Sequence, residues 1–175
     1  MGAGEDSGPT PQPAKYPTTA ERTSAREIVV TRTFNAPLHL VYDAWTKPEL
    51  MQRWWAPKSI GIYFVSCEMD VRTGGTYKFV FGHPDIDQPM AFFGRYVEVI
   101  PHTRLVWTNE EGGDAGAVTT VTFEERGDET LVVMHDLYPS AEALDEALAT
   151  GSAGEYTESF AQLDELLAAT DAQRT

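Results

Sequence analysis

Cysteine, basic residues and long apolar runs are all scarce in this sequence. The single cysteine, Cys67, excludes an internal disulfide and a cysteine-ligated structural zinc site. Lysine and arginine together number 13 against 27 aspartates and glutamates, which gives a formal net charge of −14. This negative field repels phosphate backbones and anionic lipid headgroups, so we expect neither nucleic acid nor an acidic membrane as a partner. The cysteine content fits a reducing, cytoplasmic location.

The apolar runs are shorter than the roughly 18 residues that a membrane span requires. The N-terminal segment also has no continuous apolar core of the signal-peptide kind, so neither secretion nor membrane insertion is expected. It is rich in glycine, proline, serine and threonine and has too few large aliphatic residues to offset the entropy of ordering. We therefore predict a disordered tail over residues 1–24, one domain over 25–170 and a short C-terminal tail over 171–175.

Recognisable catalytic and cofactor motifs are absent as well. The sequence has no nucleophile elbow, P-loop, dinucleotide fingerprint or His-Glu-x-x-His zinc motif, and its four histidines are scattered over different predicted elements. "HPDID" at 83–87 has neither the glycine nor the distal glutamate of a calcium loop, so a solvated hairpin tip is the preferred interpretation. The sequence thus predicts no metal site, no cofactor and no assigned catalytic residue.

Isolated charged residues on predicted strands are the remaining candidates for polar contacts to a ligand. His135 and Asp136 are neighbours on one strand and point to opposite faces, so at most one of them enters an interior cavity. An unpaired buried charge is costly, so we expect the other charged candidates to face solvent or to form ion pairs. These candidates are Glu68, Asp70, Arg95 and Glu98.

The apolar periodicity predicts an α+β domain. "REIVVTRTF" at 26–34 alternates as a strand, and two short helices follow it, the second beginning at the capping box "TKPE". Six further segments of period two are separated by short turns, which indicates an antiparallel meander and a sheet of seven strands. A long C-terminal helix has Phe160 and Leu163 on its apolar face, with Glu158, Gln162 and Glu165 on the opposite one.

Aromatic residues concentrate on one face of the predicted sheet. Strand alternation sends Tyr77, Phe79 and Phe81 inward when Lys78 points to solvent. Such a face is either a filled core or the wall of a mostly apolar pocket. The predicted ligand-binding residues on this face and on the helices beside it are Trp54, Tyr77, Phe79, Phe81, Phe92, Tyr96, Trp107, Tyr156 and Phe160.

Three of the four tryptophans lie in one short stretch, "AWTKPELMQRWW". Trp45 belongs to the apolar stripe of the first helix, so we expect it in the core. Trp54 and Trp55 are adjacent helical residues and point about 100° apart, so they do not share one environment. We expect Trp54, rather than Trp55, to face the cavity.

Five segments occur in a characteristic order along the chain: "RTFNAPLHLVYDAWTKPELMQRWWAPKS", "CEMDVRTGGTYKFVF", "GRYVEVIPHTRLVWT", "TTVTFEERGDETLVVMH" and "YTESFAQLDELL". Together they resemble the Hsp90-ATPase-activator homologue family of the START/Bet v 1-like (SRPBCC) superfamily. The resemblance implies the helix-grip fold, in which two short helices after the first strand grip a curved seven-stranded sheet and the C-terminal helix covers its concave face. One departure is Glu155-Tyr156, where the family commonly has Gly-Trp.

The resemblance leaves three functions open. A module that binds an apolar or aromatic small molecule between the sheet and the C-terminal helix is favoured, because the inner face is aromatic and no catalytic set is recognisable. A polyketide cyclase or dehydratase-like enzyme is the second hypothesis, and it requires an ionisable side chain in the cavity. A co-chaperone that contacts an Hsp90-type partner is the third, as the family name implies.

Overall fold

A computed structural model describes residues 17–111, 113, 116–150 and 156–173, with side chains as far as residue 170. Eight strands lie in this part of the chain: β1 (Thr19–Arg22), β2 (Glu27–Phe34), β3 (Tyr63–Met69), β4 (Thr76–His83), β5 (Ile86–Ile100), β6 (Arg104–Thr108), β7 (Val118–Arg126) and β8 (Glu129–Leu137). The helices are α1 (Leu38–Thr46), α2 (Pro48–Trp54), a 3₁₀ turn at Lys58–Ile60, α3 (Ala141–Ala149) and α4 (Thr157–Gln173).

All the strands join one antiparallel sheet in the order β1-β2-β8-β7-β6-β5-β4-β3. Consecutive strands from β3 to β8 are neighbours, as a meander requires, and β2 lies beside β8. Helices α1 and α2 connect β2 to β3, and α4 packs against both of them. The predicted α+β helix-grip fold is therefore confirmed. None of the described helices is both long enough and apolar enough to cross a membrane.

The predicted number of strands was wrong by one, because β1 lies within the segment 1–24 that was expected to be a disordered tail. All its residues are exposed, so it carries no apolar alternation that sequence reasoning could detect. It is held by backbone pairing with β2, in which Thr19 lies opposite Thr31. Residues 1–16 lie outside the described part of the chain.

Three further elements differ from the expectation. Helix α3 was not predicted; Ser140 caps it by accepting a hydrogen bond from the Ala143 amide at 3.1 Å. Strand β5 begins at Ile86, so most of the presumed loop "HPDIDQP" belongs to a β-hairpin with β4. At the C-terminus, α4 runs to Gln173, into the segment expected to be a tail.

The core lies between the sheet and helices α1, α2 and α4. In β2, alternate residues are buried, namely Ile28, Val30, Arg32 and Phe34. Trp45 of α1 is buried as expected, and its ring lies 6.2 Å from that of Phe160 in α4. Helix α1 therefore packs against both the sheet and the C-terminal helix.

Helix α4 buries part of the face that was expected to be polar and exposed. Gln162 is buried and donates from Nε2 to the carbonyls of Trp54 and Ala56, both at 2.9 Å. Its Oε1 accepts from the Lys58 amide at 2.9 Å. Backbone groups at the end of α2 have no hydrogen-bond partner within the helix. The Gln162 side chain supplies these partners in place of water.

Candidate ligand site

A partly open apolar cavity of about 90 Å³ lies between strands β4 to β6 and helices α1 and α2. We call it the aromatic pocket; it is lined by Trp45, Met51, Trp55, Tyr77, Phe79, Phe92, Tyr96, Trp107 and Asn109. The sequence predicts such a cavity beneath the C-terminal helix. Its helical wall is instead formed by α1 and α2, because the α4 side chain Phe160 fills the space between Phe34 and Trp45.

Strand pairing brings the rings of the aromatic pocket together. Phe79 on β4 lies opposite Phe92 on β5, and Tyr96 lies opposite Trp107 on β6. Side chains of paired strands that lie opposite each other share a face, so these four rings converge. Trp55 closes the other side, with its ring centroid 6.2 Å from that of Phe79.

The polar groups of the aromatic pocket are neutral. The Tyr77 hydroxyl donates to the Thr108 carbonyl at 2.7 Å and lies 3.3 Å from Asn109 Oδ1. Burial raises the pKa of both Tyr77 and Tyr96 far above the usual range of tyrosine. The pocket is therefore suited to an apolar or aromatic group and presents no formal charge to it.

Two larger grooves adjoin the aromatic pocket and share Phe92 with it. The apolar groove, of about 330 Å³, is lined by Trp55, Ala56, Pro57, Ile60, Ile62, Phe81, Met90 and Phe92. The polar groove, of about 420 Å³, is lined by Phe92, Asn109, Glu111, Gly116, Ala117, Thr119, Asp136, Tyr138, Ala143, Glu146, Ala147, Thr150 and Tyr156. Phe92 is 39% exposed and stands where the three spaces meet.

A buried carboxyl group lies in the wall of the polar groove. Asp136 is 6% exposed and accepts a hydrogen bond from Thr119 Oγ1 at 2.6 Å. Burial raises its pKa, because desolvation disfavours the charged form. The neighbouring His135 faces the other side of the sheet and pairs with Glu27 at 2.9 Å. The prediction that at most one of this pair enters a cavity is confirmed.

The nine predicted site residues fall into four groups. Five line the aromatic pocket: Tyr77, Phe79, Phe92, Tyr96 and Trp107. Phe81 lines the apolar groove and Tyr156 the polar groove. Trp54 and Phe160 are buried in the core. The preference for Trp54 over Trp55 is corrected by the structure, since Trp54 Nε1 donates to the Ala44 carbonyl at 2.9 Å and its ring packs between α1 and α4.

Sequence reasoning missed Trp45, Met51 and Asn109 as lining residues, and it gave Trp55 only as the alternative to Trp54. A methionine in a short helix and an asparagine just after a strand show no pattern that would mark them as pocket residues. The charged candidates lie on the outside, where Arg95 pairs with Glu110 and Glu98 with Arg104, each at 2.8 Å; Asp70 pairs with Arg72, and Glu68 is exposed. These four residues therefore lie outside the candidate site.

The sequence pattern of the family described as "Activator of Hsp90 ATPase homolog 1-like protein" matches residues 35–168. The chain belongs to this family. No curated protein matches the chain. Among solved structures, a Rhodobacter sphaeroides protein superposes with a TM-score of 0.78 at 24% identity, over 87% of this chain and 98% of that one. A Nitrosomonas europaea protein gives 0.76 at 21% identity, over 85% and 98%.

A third structure, an AHSA1-like protein from Aeromonas hydrophila, gives a TM-score of 0.67 at 19% identity, over 80% of this chain and 93% of the other. At these identities the three likenesses show the fold alone. The matched segment runs from just after β2 into α4 and includes every described residue that lines the aromatic pocket and both grooves. The candidate site is therefore built within the family domain.

Proposed function

We propose that this member of the Hsp90-activator-like family is a small-molecule-binding module whose ligand inserts an apolar or aromatic group into the aromatic pocket. The observation that carries the proposal is the wall of seven aromatic rings that lines an uncharged space. Ligand sites are mostly apolar cavities with few, fixed polar groups, and the Tyr77 hydroxyl and the Asn109 amide provide these here. The single cysteine, Cys67, favours a reducing, cytoplasmic location.

The size of the pocket limits how it is occupied. A dry cavity of about 150 Å³ accepts a benzene molecule, whereas drug-sized ligands need roughly 300–1,000 Å³. The aromatic pocket of about 90 Å³ therefore requires a side chain to move before a ring enters. Phe92 is the side chain that we expect to move, because it is 39% exposed and lies between the pocket and both grooves. Its movement joins the three spaces into one site.

Native mass spectrometry of the purified protein and a screen of apolar compounds by NMR test the proposal. We expect retained or added compounds to perturb resonances of Trp55, Tyr96 and Trp107. If no apolar compound changes either the native mass or these resonances, the proposed function is wrong.

A matched pair of variants tests the role of Phe92. Phe93 is the adjacent residue, is 40% exposed and points to the opposite face of β5. We expect Phe92→Ala to raise the affinity for 2-naphthalenemethanol relative to benzyl alcohol at least about fivefold in calorimetric titrations, since removal of the ring makes room in the joined site for the larger ligand. Phe93→Ala should leave this ratio unchanged. Equal ratios in both variants would show that Phe92 does not limit the size of the bound ligand.

A further inference from the structure

We propose that the polar groove is the subsite for a protonated amine, with the Asp136 carboxylate as its counter-ion, so that the preferred ligand is an aromatic amine. This inference rests on the proposed function, because it names the polar end of the ligand whose apolar end enters the aromatic pocket. Asp136 has one carboxylate oxygen engaged and the other turned to a groove of about 420 Å³.

The hydrogen bonds around Asp136 leave one oxygen for a ligand. Among the residues that the structure describes, Thr119 is the sole donor to the carboxylate, through Oγ1 to Oδ1 at 2.6 Å. The residue is more than nine-tenths buried and lines the groove. The other carboxylate oxygen is not among the buried atoms that lack a partner in the described part of the chain, so it is reached from the groove. There an ammonium group supplies both a donor and the opposite charge.

The direction of these bonds favours an accepting carboxylate. Asn109 Nδ2 donates to the Ala117 carbonyl at 2.8 Å, which fixes the orientation of the amide, and also to Thr119 Oγ1 at 3.1 Å. The Thr119 oxygen thus accepts one hydrogen bond, and its single O–H donates to Asp136 Oδ1. A carboxylate that already accepts a hydrogen bond in this way is stabilised in its ionised form when a cation is bound beside it.

The charge of the polar groove has one sign. Its described ionisable lining residues, other than tyrosines, are the carboxylates of Glu111, Asp136 and Glu146, with no lysine or arginine among them. The nearby His135 lies on the opposite face in its pair with Glu27. An anionic ligand group is therefore repelled, whereas an organic cation also gains contact with the faces of Phe92, Tyr138 and Tyr156.

The polar groove and the aromatic pocket are adjacent, and movement of Phe92 would join them into a site for one ligand. Phe92 and Asn109 line both spaces. A chain of hydrogen bonds runs from the Tyr77 hydroxyl through Asn109 and Thr119 to Asp136 and spans the boundary between them. A ring in the pocket and an amine near Asp136 are therefore compatible within a single molecule.

Three probes of equal length test the inference by calorimetric titration: 4-phenylbutylamine, 4-phenylbutan-1-ol and 4-phenylbutyrate. We expect the amine to bind at least about tenfold more tightly than the alcohol, and the butyrate to bind most weakly. Asp136→Asn keeps the shape of the side chain and should erase the preference for the amine while leaving the affinity for the alcohol. Glu125→Gln, an exposed carboxylate near the far end of β7, is the matched control and should keep the preference.

The possible outcomes separate the inference from the proposed function. Equal binding of amine and alcohol to the unmodified protein overturns the amine subsite and leaves the apolar pocket standing. Binding of none of the three probes overturns the subsite, and the separate screen of apolar compounds then decides the proposed function. Displacement of the amine by CaCl₂ with a saturable calcium isotherm identifies a metal-ion site and also overturns it.

A second readout does not depend on the stability of any variant. In the unmodified protein, addition of the amine should shift the NMR resonances of the Asn109 side-chain amide and the Thr119 backbone more than addition of the alcohol does. Shifts of equal size at both positions contradict the role of Asp136.

Discussion

Asp136 is the residue at which stability and ligand binding are expected to oppose each other. Its pKa is raised by burial, so the folded protein binds the proton more tightly than the unfolded chain does. The contribution of this group to stability is therefore present at acidic pH, below the pKa of the unfolded chain, and falls as the pH rises through the folded-state pKa.

Asp136→Asn should stabilise the ligand-free protein at neutral pH. An amide keeps an acceptor for Thr119 Oγ1 and removes the buried charge, for a gain of about 1 kcal/mol or roughly 2–4 °C in Tm. Calorimetric scans from pH 5 to pH 8 measure the difference between the two proteins, which we expect to grow with pH. A variant that is less stable than the parent at pH 8 contradicts this account.

Cys67 is expected to be a poorly reactive thiol. Burial raises its pKa to about 11, and only the thiolate reacts with disulfide reagents. At about pH 8 the thiolate fraction should be roughly a hundredfold lower than for the unperturbed group. The rate of reaction with Ellman's reagent, compared between native protein and protein in guanidinium chloride, tests this; comparable rates refute it.

At the scale of elements, Gln162 fastens helix α4 to the end of α2. Replacing it by alanine leaves the carbonyls of Trp54 and Ala56 and the amide of Lys58 without their partner. We expect Gln162→Ala to lower the free energy of unfolding by about 2–4 kcal/mol. Urea denaturation measures this loss, and the exposed Glu165→Ala on the same helix serves as control with little change. Similar losses in the two variants would remove the special role of Gln162.

A second contact ties α4 to the sheet through a buried cation. Arg32 lies on the core face of β2, pairs with Asp164, and has its guanidinium carbon 4.9 Å from the centre of the Phe34 ring. Asp164→Ala leaves this guanidinium buried without its counter-ion and should cost about 2–4 kcal/mol.

The double variant Arg32→Met/Asp164→Leu removes both charges and tests whether the ion pair itself is needed. It should recover most of that stability in urea denaturation, because the pair is replaced by apolar contacts. If the double variant is as unstable as Asp164→Ala, packing around Arg32 rather than its charge is responsible.

For the whole molecule, the net charge of −14 is expected to oppose folding by self-repulsion. Raising the concentration of NaCl from about 10 to 300 mM shortens the screening length to below about 10 Å, so Tm should rise by a few degrees. Exposed pairs such as Arg95–Glu110 are screened as well, but each contributes little. Calorimetry at a series of salt concentrations measures the change. A fall in Tm would mean that the ion pairs outweigh the repulsion.

Local patterns in the sequence predicted most of the fold. Alternation in β2 and in the meander, the helical spacing up to Trp45 and the apolar stripe of α4 all correspond to elements of the structure. The exceptions have physical reasons: β1 is fully exposed and held by backbone pairing, and Gln162 satisfies backbone groups far away in the chain. Neither reason leaves a periodic pattern in the sequence.

The amino-acid sequence by itself determined the α+β elements, the family and the aromatic character of the inner face, because these follow from periodicity and residue type along neighbouring positions. Only the tertiary structure decided that Trp55 rather than Trp54 reaches the pocket, that α1 and α2 rather than α4 form its helical wall, and that Asp136 meets Thr119 and Asn109. These features depend on the register of β7 against β8 and on the docking of helices across the sheet. Contacts between residues distant in the chain are set by such packing, so no local pattern contains them.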